Sequence, residues 1–226
     1  MSIRVVDCRP LDAYRQGHVP EAVHLDRDSD LTGEIGDASR GRHPLPDAAD
    51  FAASASRAGI GTETFVLAYD EGDGWAQRCW WLLRHFGHDD CAVLDLAGWL
   101  GPLRAGEEDV EAAEFNPRRR AGDTIEAEEL QQRLGDLLLL DARVPERYRG
   151  DVEPIDPVGG HIPGARNTPW NEPLPEIPPG EVVAYCGSGI TAAVLVHRLA
   201  LVGREAKLYP GSWSEWSGLG LPAERS

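Results

Sequence analysis

Of the four cysteines in this 226-residue chain, Cys186 is the one set up for chemistry. The run Val182-Val-Ala-Tyr185 reads as a buried strand, Cys186-Gly-Ser-Gly189 as a tight loop, and Ile190 to Leu201 as a helix. A cysteine at the carboxyl end of a parallel strand lies where open α/β sheets bind their ligands. Gly187 and Gly189 let the backbone curl so that N–H groups as far as Ile190 and Thr191 point inward, and the following helix adds the positive end of its dipole. Such a nest favours a thiolate, and it favours an anion bonded to that thiolate just as well. A free cysteine at a strand end is often just a small buried apolar residue, but the Gly-Ser-Gly loop shifts the balance toward a nucleophile. Cys8, inside a strand, and Cys79, in a Trp-rich helix, keep the apolar reading. Cys91, in a polar turn at the start of a strand with no basic neighbour, is expected to do nothing chemical.

A phosphatase also cradles a thiolate in N–H groups, but it needs an arginine six residues past the cysteine to clamp the phosphoryl group. Position 192 is Ala. The cysteines form no CxxC pair and have no histidine at metal-ligand spacing, which argues against a disulfide framework and a zinc site.

The elements that must position this loop occur twice. Asp7-Cys-Arg9 with Asp12-Ala-Tyr14-Arg15 recurs at a constant offset as Asp141-Ala-Arg143 with Glu146-Arg-Tyr148-Arg149. His18-Val-Pro-Glu-Ala22 recurs as His161-Ile-Pro-Gly-Ala165, Tyr69-Asp70 aligns with Tyr185-Cys186, and both halves close on a Gly/Trp turn, Gly98-Trp99 and Gly211-Ser-Trp213. This is the pattern of a duplicated domain. Short β-rich runs at 3–6, 64–68, 137–140 and 182–185 alternate with helical stretches, so each copy is expected to be an α/β domain with a parallel sheet flanked by helices. The expected boundaries are 1–103 for the first domain, 104–123 for a surface linker that includes the solvated run Arg118-Arg-Arg120, and 124–226 for the domain that carries Cys186. Trp75, Trp80 and Trp81 are expected to pack the core of the first domain.

With 42% hydrophobic residues the chain supplies a substantial core. Its 22 Lys and Arg against 38 Asp and Glu leave a net charge of -16, which argues against nucleic acid and anionic membranes as partners. No apolar run approaches the roughly 20 residues that span a bilayer, and no apolar signal core precedes the first strand, so a cytoplasmic location is expected.

In this combination and order, the two Asp-x-Arg motifs, the two His-[Val/Ile]-Pro-x-Ala motifs, the Cys186 to Thr191 loop and Tyr209-Pro-Gly-Ser-Trp-Ser-Glu-Trp216 resemble the tandem-domain rhodanese family over nearly the whole chain. The resemblance implies two rhodanese domains, the first inactive because Asp70 replaces the cysteine, and sulfur carried as a persulfide on Cys186 by a ping-pong route without metal or organic cofactor. Cys-Gly-Ser-Gly-Ile-Thr looks like the 3-mercaptopyruvate sulfurtransferases, in which the loop serine, here Ser188, works with a histidine and an aspartate matching His43 and Asp26. Such a chain can relay a proton to the leaving pyruvate enolate. The family's donor-carboxylate arginine matches Arg147, while Arg143 and Arg149 also suit structural ion pairs. The position nine residues after Arg147, a second arginine in the mercaptopyruvate enzymes, is Asp156, which resembles the thiosulfate enzymes instead. The resemblance further implies a small-molecule sulfur donor and a thiol acceptor such as thioredoxin or a small thiol. Thiosulfate as donor, and an idle module that binds anions or protein partners, are the alternatives.

Overall fold

The computed structural model describes residues 2–226, which form two compact units. One comprises the chain up to Gly33 together with Leu45–Arg120, the other Glu34–Pro44 together with Ala121–Ser226. Residues 104–120, expected as linker, therefore group with the first unit, where Arg118 and Arg120 donate their amides to the carbonyls of Phe86 and His85. Residues 34–44 leave their sequence neighbours and group with the unit of Cys186.

The first unit holds a parallel four-stranded sheet in the order β2-β1-β3-β4, from β1 (Ser2–Asp7), β2 (Val23–His24), β3 (Thr64–Tyr69) and β4 (Cys91–Val93). Helices α1 (Leu11–Gln16), α2 (Ala48–Arg57) and α3 (Trp75–His85) connect the strands. Val6, Val66 and Ala68 are fully buried, as strands covered on both faces require. Trp75, Trp80 and Trp81 lie buried along α3. Cys8 stands one residue beyond β1 rather than inside it, and is fully buried there.

The second unit repeats the sheet as β6-β5-β7-β8, from β5 (Leu138–Asp141), β6 (Arg166–Asn167), β7 (Val182–Tyr185) and β8 (Lys207–Leu208), again all parallel. It adds α4 (Ala127–Gln132), α5 (Pro145–Arg149), α6 (Ile190–Leu201) and α7 (Ser212–Gly218). The crossover from β6 to β7 has no helix. Pro169, Pro173, Pro175, Pro178 and Pro179 remove the amide donors that a helix there would need. The core gathers Leu139, Val183, Tyr185, Tyr209, Trp213 and Trp216 around the sheet.

The repeated motifs form the same scaffold twice. Arg9 bonds Asp7 and the carbonyl of Gly17, and Arg143 bonds Asp141 and the carbonyl of Gly160. Tyr69 and Tyr185 each accept an amide through their hydroxyl, from Val19 and Ile162 respectively. The Tyr14 ring stacks on His18 and the Tyr148 ring on His161. Arg143 is therefore a buried structural partner, which leaves Arg147 facing the cysteine loop. No described helix is long and apolar enough to cross a membrane.

Candidate active site

Cys186 follows the last residue of β7 and is buried. The seam that holds its backbone comes from the Gly/Trp turn. The Cys186 amide donates to Ser212 Oγ (3.1 Å), its carbonyl accepts from the Trp213 amide (2.9 Å), and the Gly187 carbonyl accepts from the Ser214 amide (3.0 Å). Ser212 adopts φ 54°, a left-handed conformation costly for a residue with a side chain, and its hydroxyl is tied to the Tyr209 carbonyl at 2.9 Å. Gly189 caps α6 at φ 87°, and its amide donates to Cys186 Sγ at 3.1 Å. The thiol thus sits at the N-terminus of a 12-residue helix with a backbone donor aimed at sulfur. Ile190, the first residue of α6, is buried, and Thr191 follows it in the first turn.

The first unit shows what this strand-loop-helix arrangement binds. Asp70 follows Tyr69 as Cys186 follows Tyr185, and its carboxylate accepts amides from Gly72 (2.8 Å), Gly74 (2.9 Å) and Ala76 (2.9 Å). With a loop one residue longer, that copy fills its own nest with a carboxylate. An anion is the natural occupant of such a loop.

Two further groups meet the loop that follows Cys186, His43 at Ser188 and a pair of guanidiniums at Gly187. Ser188 Oγ lies 2.8 Å from His43 Nδ1, so the predicted serine and histidine do meet, through the 34–44 segment. Asp26 lies in the first unit, where its Oδ1 accepts the Asp28 and Ser29 amides and the Ser29 hydroxyl. Against the effect of partial burial, these bonds hold its carboxyl below the ordinary aspartate range.

Arg147, on α5, bonds Glu153 at 2.7 Å and Asp156 at 3.1 Å. Burial pushes the Asp156 carboxyl up, against the pull of Arg42 and Arg147. Glu153 is also partly buried, yet its Arg147 bond keeps it low. The residue that sequence reasoning missed is Arg42, which bonds Asp156 from the other side. A Cβ on Gly187 would stand 3.0 Å from Arg42 Nη2 and 3.1 Å from Arg147 Nη1, so both guanidiniums lie over the loop, in the space that Gly187 leaves open. The one sequence signal for Arg42 was its place beside His43.

The other cysteines lack this setting. Burial pushes the thiols of Cys8 and Cys91 up, and Cys79 is fully buried in α3.

The rhodanese-like domain model matches residues 1–99 and again 126–219. The putative thiosulfate sulfurtransferase SseB of Mycobacterium tuberculosis is 39% identical over 235 residues, covering 91% of this chain and 82% of the relative. The probable 3-mercaptopyruvate sulfurtransferase of Pseudomonas aeruginosa is 38% identical over 250 residues, covering 94% and 88%. The solved 3-mercaptopyruvate sulfurtransferase from Leishmania major matches with a TM-score of 0.81 at 28% identity, over 96% of this chain and 71% of that one.

Proposed function

The chain belongs to the rhodanese family, carrying the rhodanese-like domain twice, and from that premise we propose that it is a sulfurtransferase that moves sulfur from 3-mercaptopyruvate to a thiol or cyanide through a persulfide on Cys186. The Cys186 thiolate attacks the donor sulfur, an S–S bond forms, and the donor's C–S bond breaks with its electron pair left on carbon as the pyruvate enolate. That enolate must take up a proton. Ser188, hydrogen-bonded to His43, delivers it, and Asp26 is assigned the orienting role by the family resemblance alone. The acceptor thiolate or cyanide then takes the outer sulfur and returns the Cys186 thiolate. The Gly189 amide steadies the charged sulfur in both halves of the cycle.

The observation that carries mercaptopyruvate as donor is the 2.8 Å contact of Ser188 with His43 beside the cysteine loop. Thiosulfate releases sulfite and needs no proton at carbon, so a hydroxyl–imidazole pair serves it little. Thiosulfate is kept as the second reading because Asp156 is acidic and a relative of nearly equal identity bears that name. Transfer to cyanide, with the two donors assayed side by side, separates the readings. Ser188→Ala is expected to lower mercaptopyruvate turnover by about 10²-fold or more and thiosulfate turnover far less. Equal losses with both donors would remove the proton-relay role.

Gly41 sets where Arg42 and His43 lie. It adopts φ 79°, and an added Cβ would come within 2.6 Å of the Gly211 carbonyl oxygen. Gly41→Ala is therefore expected to displace both side chains and to cut kcat/KM about tenfold or more, with about 1–3 kcal/mol of strain read in thermal unfolding. Unchanged kinetics would mean that the segment tolerates the shift.

The reading includes a thiol acceptor, either a small thiol or thioredoxin, and a cytoplasmic location. Four free cysteines suit a reducing compartment, and the net charge of -16 does not suit a nucleic-acid or anionic-membrane partner.

A further inference from the structure

Two guanidiniums within 3.1 Å of one point are close enough to repel unless an anion lies between them. Here the anion is Asp156, whose side chain is 4% exposed and whose two oxygens are shared, Oδ1 to Arg42 and Oδ2 to Arg147. Arg42 is itself held in place by its backbone, since its amide donates to Ser214 Oγ at 3.1 Å, and Ser214 in turn holds the Gly187 carbonyl. Its guanidinium is held over the loop by the buried Asp156, and its side chain remains 28% exposed. The loop after Cys186 contributes no cation of its own, as Gly187 to Thr191 carry no charge.

We infer that Arg42 is a donor-binding residue, which forms with Arg147 a two-arginine clamp over Gly187 that takes the carboxylate of the sulfur donor in exchange for part of its hold on Asp156. The assignment rests on the sulfurtransferase reading above and adds to it a residue and a substrate charge. Around the clamp three guanidiniums (Arg42, Arg143, Arg147) face three carboxylates (Asp141, Glu153, Asp156). The cluster is balanced before the donor arrives. It accommodates a single carboxylate, which matches the planar fork of each arginine and leaves one negative charge in excess, better than a dianion, which leaves two. Asp156 thereby sets donor charge. The acidic residue nine positions after Arg147 does not by itself indicate thiosulfate, because the cation missing there is supplied by Arg42 from another part of the chain.

The test uses the full chain and two readouts. The first is the KM for 3-mercaptopyruvate. The second is the pyruvate concentration that half-protects Cys186 from iodoacetamide, which reads carboxylate binding without turnover. Arg42→Gln is expected to raise both about tenfold or more, with kcat within about twofold, the loss expected for one charge-assisted hydrogen bond. Arg42→Lys recovers part of it, because an ammonium keeps the charge and loses the fork. Asp156→Asn, which frees both guanidiniums, is expected to lower the half-protecting concentration several-fold and to improve thiosulfate use more than mercaptopyruvate use. Unchanged pyruvate protection in Arg42→Gln, or weaker protection in Asp156→Asn, overturns the clamp. If wild type transfers no sulfur from either donor and pyruvate still protects it in an Arg42-dependent way, the clamp stands and the sulfurtransferase reading falls.

Discussion

Cys186→Ser is expected to abolish sulfur transfer from both donors, a loss on the order of 10³-fold or more, the scale seen when a covalent nucleophile is removed. A serine hydroxyl at this position lacks the acidity and the polarisability to accept sulfur, and a persulfide cannot form on oxygen. The same variant tests the chemistry without kinetics. Wild type treated with 3-mercaptopyruvate in the absence of an acceptor should gain about 32 Da, one sulfur atom, released as thiocyanate when cyanide is added. In Cys186→Ser that gain should vanish, while Cys91→Ser should keep both the gain and the turnover, because burial pushes the Cys91 thiol up and no described backbone amide points at its sulfur. A mass gain that persists in Cys186→Ser would place the carrier elsewhere. No gain in wild type would support the idle-module alternative.

The Asp70 loop explains why one copy retains chemistry and the other does not. Both copies put a strand end, a Gly-rich loop and a helix N-terminus together, and in both a loop amide donates to the side chain at the strand end. In the first copy the anion is part of the chain: three amides converge on the Asp70 carboxylate, and no thiol is present to carry sulfur. The second copy carries a cysteine in that position and has two guanidiniums over the adjacent glycine.

The local parts of this site were legible in the sequence. Val182 to Tyr185 forms the strand expected, and Gly187-Ser-Gly189 announces a tight turn into a helix, because apolar runs and glycines fix conformation within a few residues. The duplicated Asp-x-Arg and His-x-Pro motifs were legible as a repeat, and their equivalent hydrogen bonds explain the repetition. The placement of residues 34–44 was not legible. That segment has no periodicity, and it is fixed by the fit of Gly41 against Gly211 and by the Arg42 amide on Ser214, contacts between residues far apart in sequence. Arg42 therefore carries no sequence signal beyond its place beside His43. The pairing of Asp156 with Arg42 was hidden for the same reason, and the acidic residue taken alone pointed to a different donor. The path of 104–120 along the first unit is set by backbone bonds such as those of Arg118 and Arg120 to Phe86 and His85, and such bonds leave no mark in side-chain pattern.

The largest expected effect on stability lies under the site. Asp141 and Arg143 are 0% and 2% exposed at their side chains and meet through three hydrogen bonds of 2.6 to 3.1 Å. The guanidinium lies 4.7 Å from the centre of the Trp213 ring and also bonds the Gly160 carbonyl. Burial, together with the nearby Asp141 charge, pushes the Tyr185 phenol up, so its hydroxyl stays protonated next to that carboxylate. Removing Asp141 leaves the buried Arg143 guanidinium with only the Gly160 carbonyl and the Glu153 carboxylate 3.5 Å away, and the loss of its main partner costs about 3–5 kcal/mol, more than the pair contributes when intact. Asp141→Ala is expected to destabilise the protein by that amount in urea unfolding, and Asp7→Ala by a similar amount, since Asp7, Arg9 and Tyr69 repeat the arrangement in the first unit. The Arg143→Met change added to Asp141→Ala should restore part of the loss, because the orphaned charge is then gone. A cost below about 1 kcal/mol for Asp141→Ala would show that water reaches the guanidinium. An additive double variant would show that the two residues act separately. The predicted coupling ties the catalytic loop to the sheet: Tyr185, whose hydroxyl holds the Ile162 amide, immediately precedes Cys186, and Trp213, beneath Arg143, donates its backbone amide to the Cys186 carbonyl. Loosening the Asp141–Arg143 pair therefore acts on the backbone that aims the nucleophile, and kcat should fall along with stability.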